Sequence, residues 1–533
     1  MQTTLRFSIA LVLAILSLHS PVLAQSRQAP PGMFKDLDDQ IVGKALIIHG
    51  KQLFIDDYII GEMDGAQKTL NQPMKHPDNP LITFDKPWES GGMLNRGSIL
   101  YDEGENIYKL WYPFWTKIEK TKSGWVQESE LGYAVSNDGI AWHKPVVNRK
   151  NQTNLVLAPN ADNPPSVFKD HADPDASRRY KMLYAAHRDE TSKTYSTRAA
   201  YSPDGIHWTP EARNPLIPHS DTLNCAFWDA RLGRYVAYVR FGPPNTRLIS
   251  RIESEDFIHW SPKVTVLNKT KLDAPFNTEF YGMGVLNYAG VYIGMLEAYH
   301  GETIEPIPDD KLWMDRQNVQ LAFSRNGVAW SRVGRSGAIR VEEYHQERNW
   351  EQEAEQATFI PYGEYRKDWD WGQVSPYLVP LVVGDEIRIY YAGYAARHWA
   401  SYHGDNDKSS GIGLATLRLD GFVSVNAGID AGTLTTKPLV FFGDTLEINA
   451  NAEGGSLTVE ALDAEGKVIE GFGVSDCTPI SSNSVRHVVK WKDNTDCHLL
   501  QARPIKLRFH LKNAKLYAFE PRIRHNHYLQ SYD

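Results

Sequence analysis

The sequence predicts an all-β protein, a five-bladed β-propeller followed by a C-terminal β-sandwich. Three observations carry that prediction. A seven-residue turn motif returns at blade-sized intervals, the same set of strand-like segments accompanies each copy, and beyond Gly432 the alternation continues without the motif.

The motif is Ser136-Asn137-Asp138-Gly139-Ile140-Ala141-Trp142. It recurs as Ser202-Pro203-Asp204-Gly205-Ile206-His207-Trp208, degrades to Ser254-Glu255-Asp256-Phe257-Ile258-His259-Trp260, and returns as Ser324-Arg325-Asn326-Gly327-Val328-Ala329-Trp330. The tryptophans are 66, 52 and 70 residues apart, and Leu419-Asp420-Gly421-Phe422 is a weaker fifth form. Asp-Gly and Asn-Gly between apolar segments signal hairpins because those residues tolerate positive φ. The Ser and Asp side chains suit the turn amides, and the Trp suits packing between sheets.

Each copy sits in a unit of four strand-like segments. The first unit reads Ser98–Tyr101, Tyr108–Tyr112, Leu131–Val135 and Ile140–His143; the second, Ser166–Phe168, Tyr180–Ala185, Arg198–Tyr201 and Ile206–Thr209. The third reads Cys225–Trp228, Tyr235–Val239, Leu248–Ile252 and Ile258–Ser261; the fourth, Met283–Leu286, Val291–Leu296, Val319–Phe323 and Val328–Ser331. The fifth reads Tyr377–Val382, Glu386–Tyr391, Ile412–Leu417 and Phe422–Val425. A stacked β-sandwich array is the competing architecture, and it explains the recurring turn less well. Domains are expected at 1–24 (a signal peptide), 25–93 (an N-terminal strand and linker), 94–431 (the propeller) and 432–533 (the sandwich).

Residues 1–24 read as a secretory leader. Arg6 precedes an apolar run, Phe7 to Leu18, too short to span a bilayer, and Val22-Leu23-Ala24 resembles a peptidase site. The expected location is therefore secreted or periplasmic, with no membrane span. Lys+Arg 57 against Asp+Glu 65 gives a net charge of −8 without a basic block, which argues against nucleic acid as a partner. Of the three cysteines, Cys225 lies in an apolar strand, while Cys477 and Cys497 allow a bridge in an oxidising compartment. Their spacing does not suit zinc.

Propeller topology filters the candidate site. Strands alternate in direction, so the starts of the innermost strands and the ends of the second strands share one face and converge on the axis. The Trp turns fall on the other face. The inner-strand starts hold Asn95 and Arg96, Asp162, Asp221, Glu279 and Tyr281, and Asp370 and Trp371. The second-strand ends hold Trp115, His187, Arg240, His300, and Arg397 and His398. Carboxylates for acid/base work, rings for stacking and cations for hydroxyl or anion contacts suit a sugar site. The cluster Asp170–Asp175 lies on the opposite face and reads as a solvated turn.

These residues bring a family into view. Gln52-Leu53-Phe54-Ile55-Asp56-Asp57-Tyr58, Asn79-Pro80-Leu81-Ile82, Ser166-Val167-Phe168-Lys169-Asp170, Ser220-Asp221-Thr222, Phe227-Trp228-Asp229, Lys506-Leu507-Arg508-Phe509 and the Trp turns resemble the five-bladed propeller glycoside hydrolases of families 32, 43, 62, 68, 117 and 130. The resemblance covers most of the chain past residue 24 and is closest to exported bacterial members. It implies three axial acids from successive blades: a base or nucleophile, a stabilising Asp and an acid Glu. Asp162, Asp221 and Glu279 form that succession, one unit late. The first unit holds Asn95-Arg96 where the pattern has Asp, with Asp85 and Glu89 the nearest carboxylates. Glu279 is the expected general acid, Asp221 the base or stabiliser, and Asp162 the third acid.

The expected function is a secreted, exo-acting glycoside hydrolase with a carbohydrate substrate. Arg96, His187, Arg240, His300, Arg397 and His398 favour an anionic, uronic or sulfated sugar. Asn95, Trp115, Tyr281 and Trp371 complete the expected binding set. No cofactor is required by these residues, and an axial calcium ion stays an open alternative. The alternatives in function are a non-catalytic carbohydrate-binding propeller and a sialidase-like hydrolase using Arg96, Arg240 and Tyr281.

Overall fold

The computed structural model describes residues 41–42, 45–89, 96–121, 124–157, 165–186, 196–218, 220–242, 246–271, 273, 277–301, 313–334, 358–398 and 409–524. Within them the chain is all-β, and its helical segments are short 3-10 turns such as Pro87–Glu89.

Consecutive antiparallel meanders build the middle of the chain. The first sheet orders Ser98–Asp102, Ile107–Thr121, Gly124–Ser136 and Leu155–Leu157. The second runs through Ser166–Lys169, Tyr180–Ala186, Ser196–Ser202 and Thr209–Pro210, and the third through Asp221–Asp229, Arg234–Arg240, Ile249–Ser254 and Val264–Leu267. The fourth comprises Thr278–Tyr288, Val291–His300, Arg316–Ser324 and Ser331–Arg332. One parallel pair, Gln317 with Gln373, links it to the fifth sheet of Gln373–Pro376, Glu386–Tyr394 and Ser410–Arg418.

The outer strand of the fifth sheet differs from expectation. Met74–Lys75 pairs with Ser410–Arg418, while Val423–Ala427 turns away to pair with Gln67–Leu70 and Ala514–Arg522. The turn at Asp420-Gly421 thus hands the chain to the C-terminal sheets, and the N-terminal segment fills the vacated edge. Asp370 fixes this graft by accepting from Lys75 Nζ (2.6 Å) and the Tyr391 hydroxyl (2.9 Å).

Apolar clusters join each sheet to the next. Trp111 shares a cluster with Tyr180 and Met182, Leu183 with Val239, Tyr238 with Met283, and Leu321 with Ile389. A further cluster joins Ile99 and Leu110 of the first sheet to Tyr390 and Leu414 of the fifth.

The repeated turn explains how neighbouring sheets stay in register. Its Ser Oγ accepts from the Gly N–H at Gly139 (2.8 Å), Gly205 (2.8 Å) and Gly327 (2.9 Å). The motif's own Trp Nε1 donates to the Gly carbonyl, at 3.2, 2.9 and 3.0 Å respectively. That carbonyl takes a second bond from the adjoining sheet: Trp111 Nε1 to Gly205 (2.7 Å), Tyr238 hydroxyl to Gly327 (2.9 Å) and Tyr390 hydroxyl to Gly139 (2.7 Å). The last bond repeats between fifth and first sheets the contact made between first and second.

Gly205 has φ +82°, and a Cβ there would lie 2.7 Å from the Trp111 ring. Gly205→Ala therefore adds backbone strain and a clash at one point. We expect a loss of about 2 kcal/mol in urea unfolding, against less than about 0.5 kcal/mol for an exposed surface substitution. An unchanged midpoint would show that this turn does not hold the sheets together.

A second recurring bond lies near the ends of the inner strands. Asp102 accepts from Tyr180, Asp170 from Tyr235 (2.6 Å) and Asp229 from Tyr292, each pair crossing to the next sheet. Asp170 is therefore not the solvated turn residue expected. It is buried and also pairs with the buried Lys181 (2.9 Å), whereas Asp175 is exposed and caps a short 3-10 turn.

Past residue 427, two sheets face each other across one core containing Leu434, Leu457, Phe509, Leu446, Ile448 and Phe519. The N-terminal strands belong here: Ala45–Ile47 pairs with Leu439–Val440, Ile60–Asp64 with Gly432–Thr436, and Gln52–Leu53 with Ala514–Arg522. Cys225, Cys477 and Cys497 are buried free thiols, and burial pushes Cys225 and Cys497 up to about 12. No helix among the described residues is long and apolar enough to cross a membrane.

Candidate active site

Strand register brings the inner-strand starts beside the second-strand ends. Asp221 lies opposite Arg240, Thr278 opposite His300, Glu279 opposite Tyr299, and Gln373 opposite Tyr394. Arg96 stands just before the first inner strand, buried, with φ +67°. A long side chain in that left-handed region is uncommon and is tolerated only where the surroundings hold it.

Tyr281 is the hub. The guanidinium carbons of Arg240, Arg247 and Arg96 lie 5.1, 5.1 and 5.8 Å from its ring centre. The rings of Tyr299 and His398 pack on it at 4.9 and 5.3 Å, and Tyr299 donates to Asp315 (2.6 Å). Side chains from the first, third, fourth and fifth sheets therefore meet at one end of the inner strands.

Glu297 is the residue that sequence reasoning missed. Fully buried on Val291–His300, it pairs with the Arg96 guanidinium and accepts from Ser375 Oγ (2.7 Å). The pair thus ties the first sheet to the fourth and, through Ser375, to the fifth. A lone Glu inside an otherwise apolar strand was a usable signal, because a carboxylate enters a core only with a partner. Arg247, also missed, lies between Arg240 and Leu248 in a stretch without strand alternation.

Glu279 is nearly buried. One oxygen accepts from the Arg247 amide (2.5 Å) and the other from Lys269 Nζ (2.6 Å). Asp221 sits at the predicted strand start, in backbone register with Arg240. His300 is buried, its Nδ1 3.0 Å from Thr278 Oγ1.

Other members of the expected set have partners of their own. Trp371 is buried against Tyr365 (4.8 Å), and its carbonyl accepts from Arg316. Arg397 donates to the Tyr365 hydroxyl (2.7 Å). Trp115 is half-buried on the first sheet's long hairpin. Glu89 is turned toward Tyr112 (2.7 Å) and Lys144 (2.7 Å), and Asp85 also pairs with Lys144 (2.7 Å). Asn95, Asp162 and His187 lie outside the described residues.

Burial, with Arg96, Arg247 and Arg240 nearby, pushes the His398 imidazole down to about 3. His398 is thus neutral at pH 7 and adds no positive charge. The unfolded chain takes up a proton below about 6.5 while the folded protein does not until about 3, so this group erodes stability as pH falls through that window. We expect His398→Gln to flatten the acid limb of the stability curve, by at most about 1.4 kcal/mol per pH unit. Urea unfolding of both proteins at pH 7, 5.5 and 4 checks this; parallel curves would contradict it.

A separate cavity of about 510 Å³ opens at the other end of the inner strands, lined by residues including Tyr101, Lys169, Phe227, Asn287 and Leu381. Among the described residues no group of three His, Cys, Asp or Glu side chains is arranged to hold a metal ion.

No family model matches the chain, and no curated protein does. Solved structures similar to it include glycoside hydrolases of the propeller superfamily. One is a glycosyl hydrolase from Bacteroides ovatus, 14% identical, covering 66% of this chain and 94% of its own, with TM-score 0.42. Another is the β-1,2-mannobiose phosphorylase from Listeria innocua, 12% identical, 65% and 96% covered, TM-score 0.42. The family 32 β-fructofuranosidase of Bombyx mori is 12% identical, with 85% and 96% covered and TM-score 0.39.

Proposed function

We propose that the protein is a glycoside hydrolase acting on a poly- or oligosaccharide. Its five central sheets act as blades of one propeller capped by a C-terminal sandwich. The observation that carries this reading is the convergence of Glu279, Tyr281, Arg240, Arg247 and the Arg96–Glu297 pair at one end of the inner strands. Such a set offers carboxylates to move protons, a phenol ring, and cations to orient hydroxyl or acidic groups.

Glu279 is the general acid and Asp221 the base or stabiliser in this account. For Glu279 to carry a proton, Lys269 has to leave Oε1 when substrate arrives. The strand Ile107–Thr121 runs ten residues past Trp111, where its inner partner has already ended, and so extends the entrance side. That one-sided wall favours trimming from a chain end. Residues 1–24 direct the protein to a secreted or periplasmic location.

A sialidase-like reaction is the second reading, favoured by the three arginines around Tyr281. Burial raises that phenol, so it needs a base before it can act as a nucleophile. Incubating purified protein with a panel of oligosaccharides and resolving the products tests both. Glycosidic cleavage abolished by Glu279→Gln and kept by Tyr281→Phe supports the first reading; the reverse pattern supports the second. Absence of cleavage across the panel would leave a binding propeller as the function.

A further inference from the structure

The charges around Tyr281 do not all have partners. Arg96 is answered by Glu297, Lys269 by Glu279, and His398 is neutral. Arg247 differs. Its backbone is held on both sides, the amide by Glu279 (2.5 Å) and the carbonyl by the Phe280 amide (3.1 Å). Arg247 is half-buried, its guanidinium lies 5.1 Å from the Tyr281 ring centre, and among the described residues that guanidinium makes no ion pair or hydrogen bond.

A flexible arginine on a surface is usually left to solvent. Here the backbone is fixed by the same carboxylate assigned to the chemistry, and the head is laid over a buried ring. A guanidinium pre-positioned in this way, with its planar fork of donors unspent, matches a carboxylate or sulfate oxygen pair. We propose that Arg247 is the specificity-determining residue of the site, taking the anionic substituent, uronate carboxylate or sulfate ester, of the sugar bound beside Glu279. Arg240, at the same distance from the ring, borders the same position.

The proposal deepens the glycosidase reading, yet it can be tested without turnover. Calorimetric titration of the full-length protein with glucuronate, inorganic sulfate and glucose separates carboxylate, sulfate and neutral sugar. We expect saturable binding of glucuronate or sulfate, none of glucose at the same concentrations, and a loss of about 10- to 100-fold in Arg247→Gln, with partial recovery in Arg247→Lys. An unchanged melting temperature confirms that the substitution leaves the fold intact. Equal binding by wild type and Arg247→Gln, equal binding of glucose, or no binding of either anion would overturn the assignment. Anion binding without any oligosaccharide cleavage would sustain it while removing the hydrolytic function.

Discussion

Truncating Glu297 to Ala is expected to destabilise the protein by about 3–5 kcal/mol, because the change strands a buried cation. Arg96 and Glu297 are both removed from water, and their pairing spans sheets that are distant in sequence. Forming such a pair is often close to neutral against an apolar replacement, whereas removing one member leaves the other's desolvation uncompensated. The effect therefore separates two substitutions at Arg96. Arg96→Gly relieves a left-handed backbone costing about 1–3 kcal/mol but strands Glu297, and the stranded carboxylate outweighs that relief, so the variant is still less stable. Arg96→Met combined with Glu297→Leu should recover most of the loss. Urea unfolding of the singles and the double reads this directly; additive losses in the double would show that the two side chains do not act as a pair.

The second large effect is kinetic. Glu279→Gln and Asp221→Asn should each lower kcat on a cleaved oligosaccharide by about 10²- to 10⁴-fold, with little change in melting temperature. Both are close to isosteric, and Gln at position 279 still accepts the Arg247 amide through its carbonyl oxygen. Loss of activity with an intact fold separates a proton-transfer role from a structural one. Activity surviving both changes would place the chemistry elsewhere.

Much of this architecture was legible because it repeats. A Trp turn whose Gly carbonyl accepts from its own Trp and from the adjoining sheet leaves a strong local signature, so Gly139, Gly205 and Gly327 each mark, within one sheet, the turn between the third and the outermost strand. The strand starts at Asp221 and Glu279 followed from the same periodicity. Contacts between distant segments were not legible. Nothing local in Met74-Lys75 says that it completes the fifth sheet, because that edge is created when Val423–Ala427 leaves for another. Trp371 and Asp370 precede an inner strand, which by periodicity alone puts them at the axis. In the structure the Trp371 ring packs on Tyr365 with Arg316 and Arg397 beside it, and Asp370 holds Lys75 and Tyr391, contacts that periodicity does not foretell. Glu297 and Arg247 act through partners far away or in a loop, beyond the reach of period counting.

The most direct measurement is a crystal structure of Glu279→Gln bearing an oligosaccharide that the wild type cleaves. The sugar should lie against Arg247 and Tyr281, with its glycosidic oxygen within hydrogen-bond reach of residue 279. A sugar seated instead at the opposite end of the inner strands, between Tyr101, Lys169 and Asn287, would contradict the placement of the chemistry.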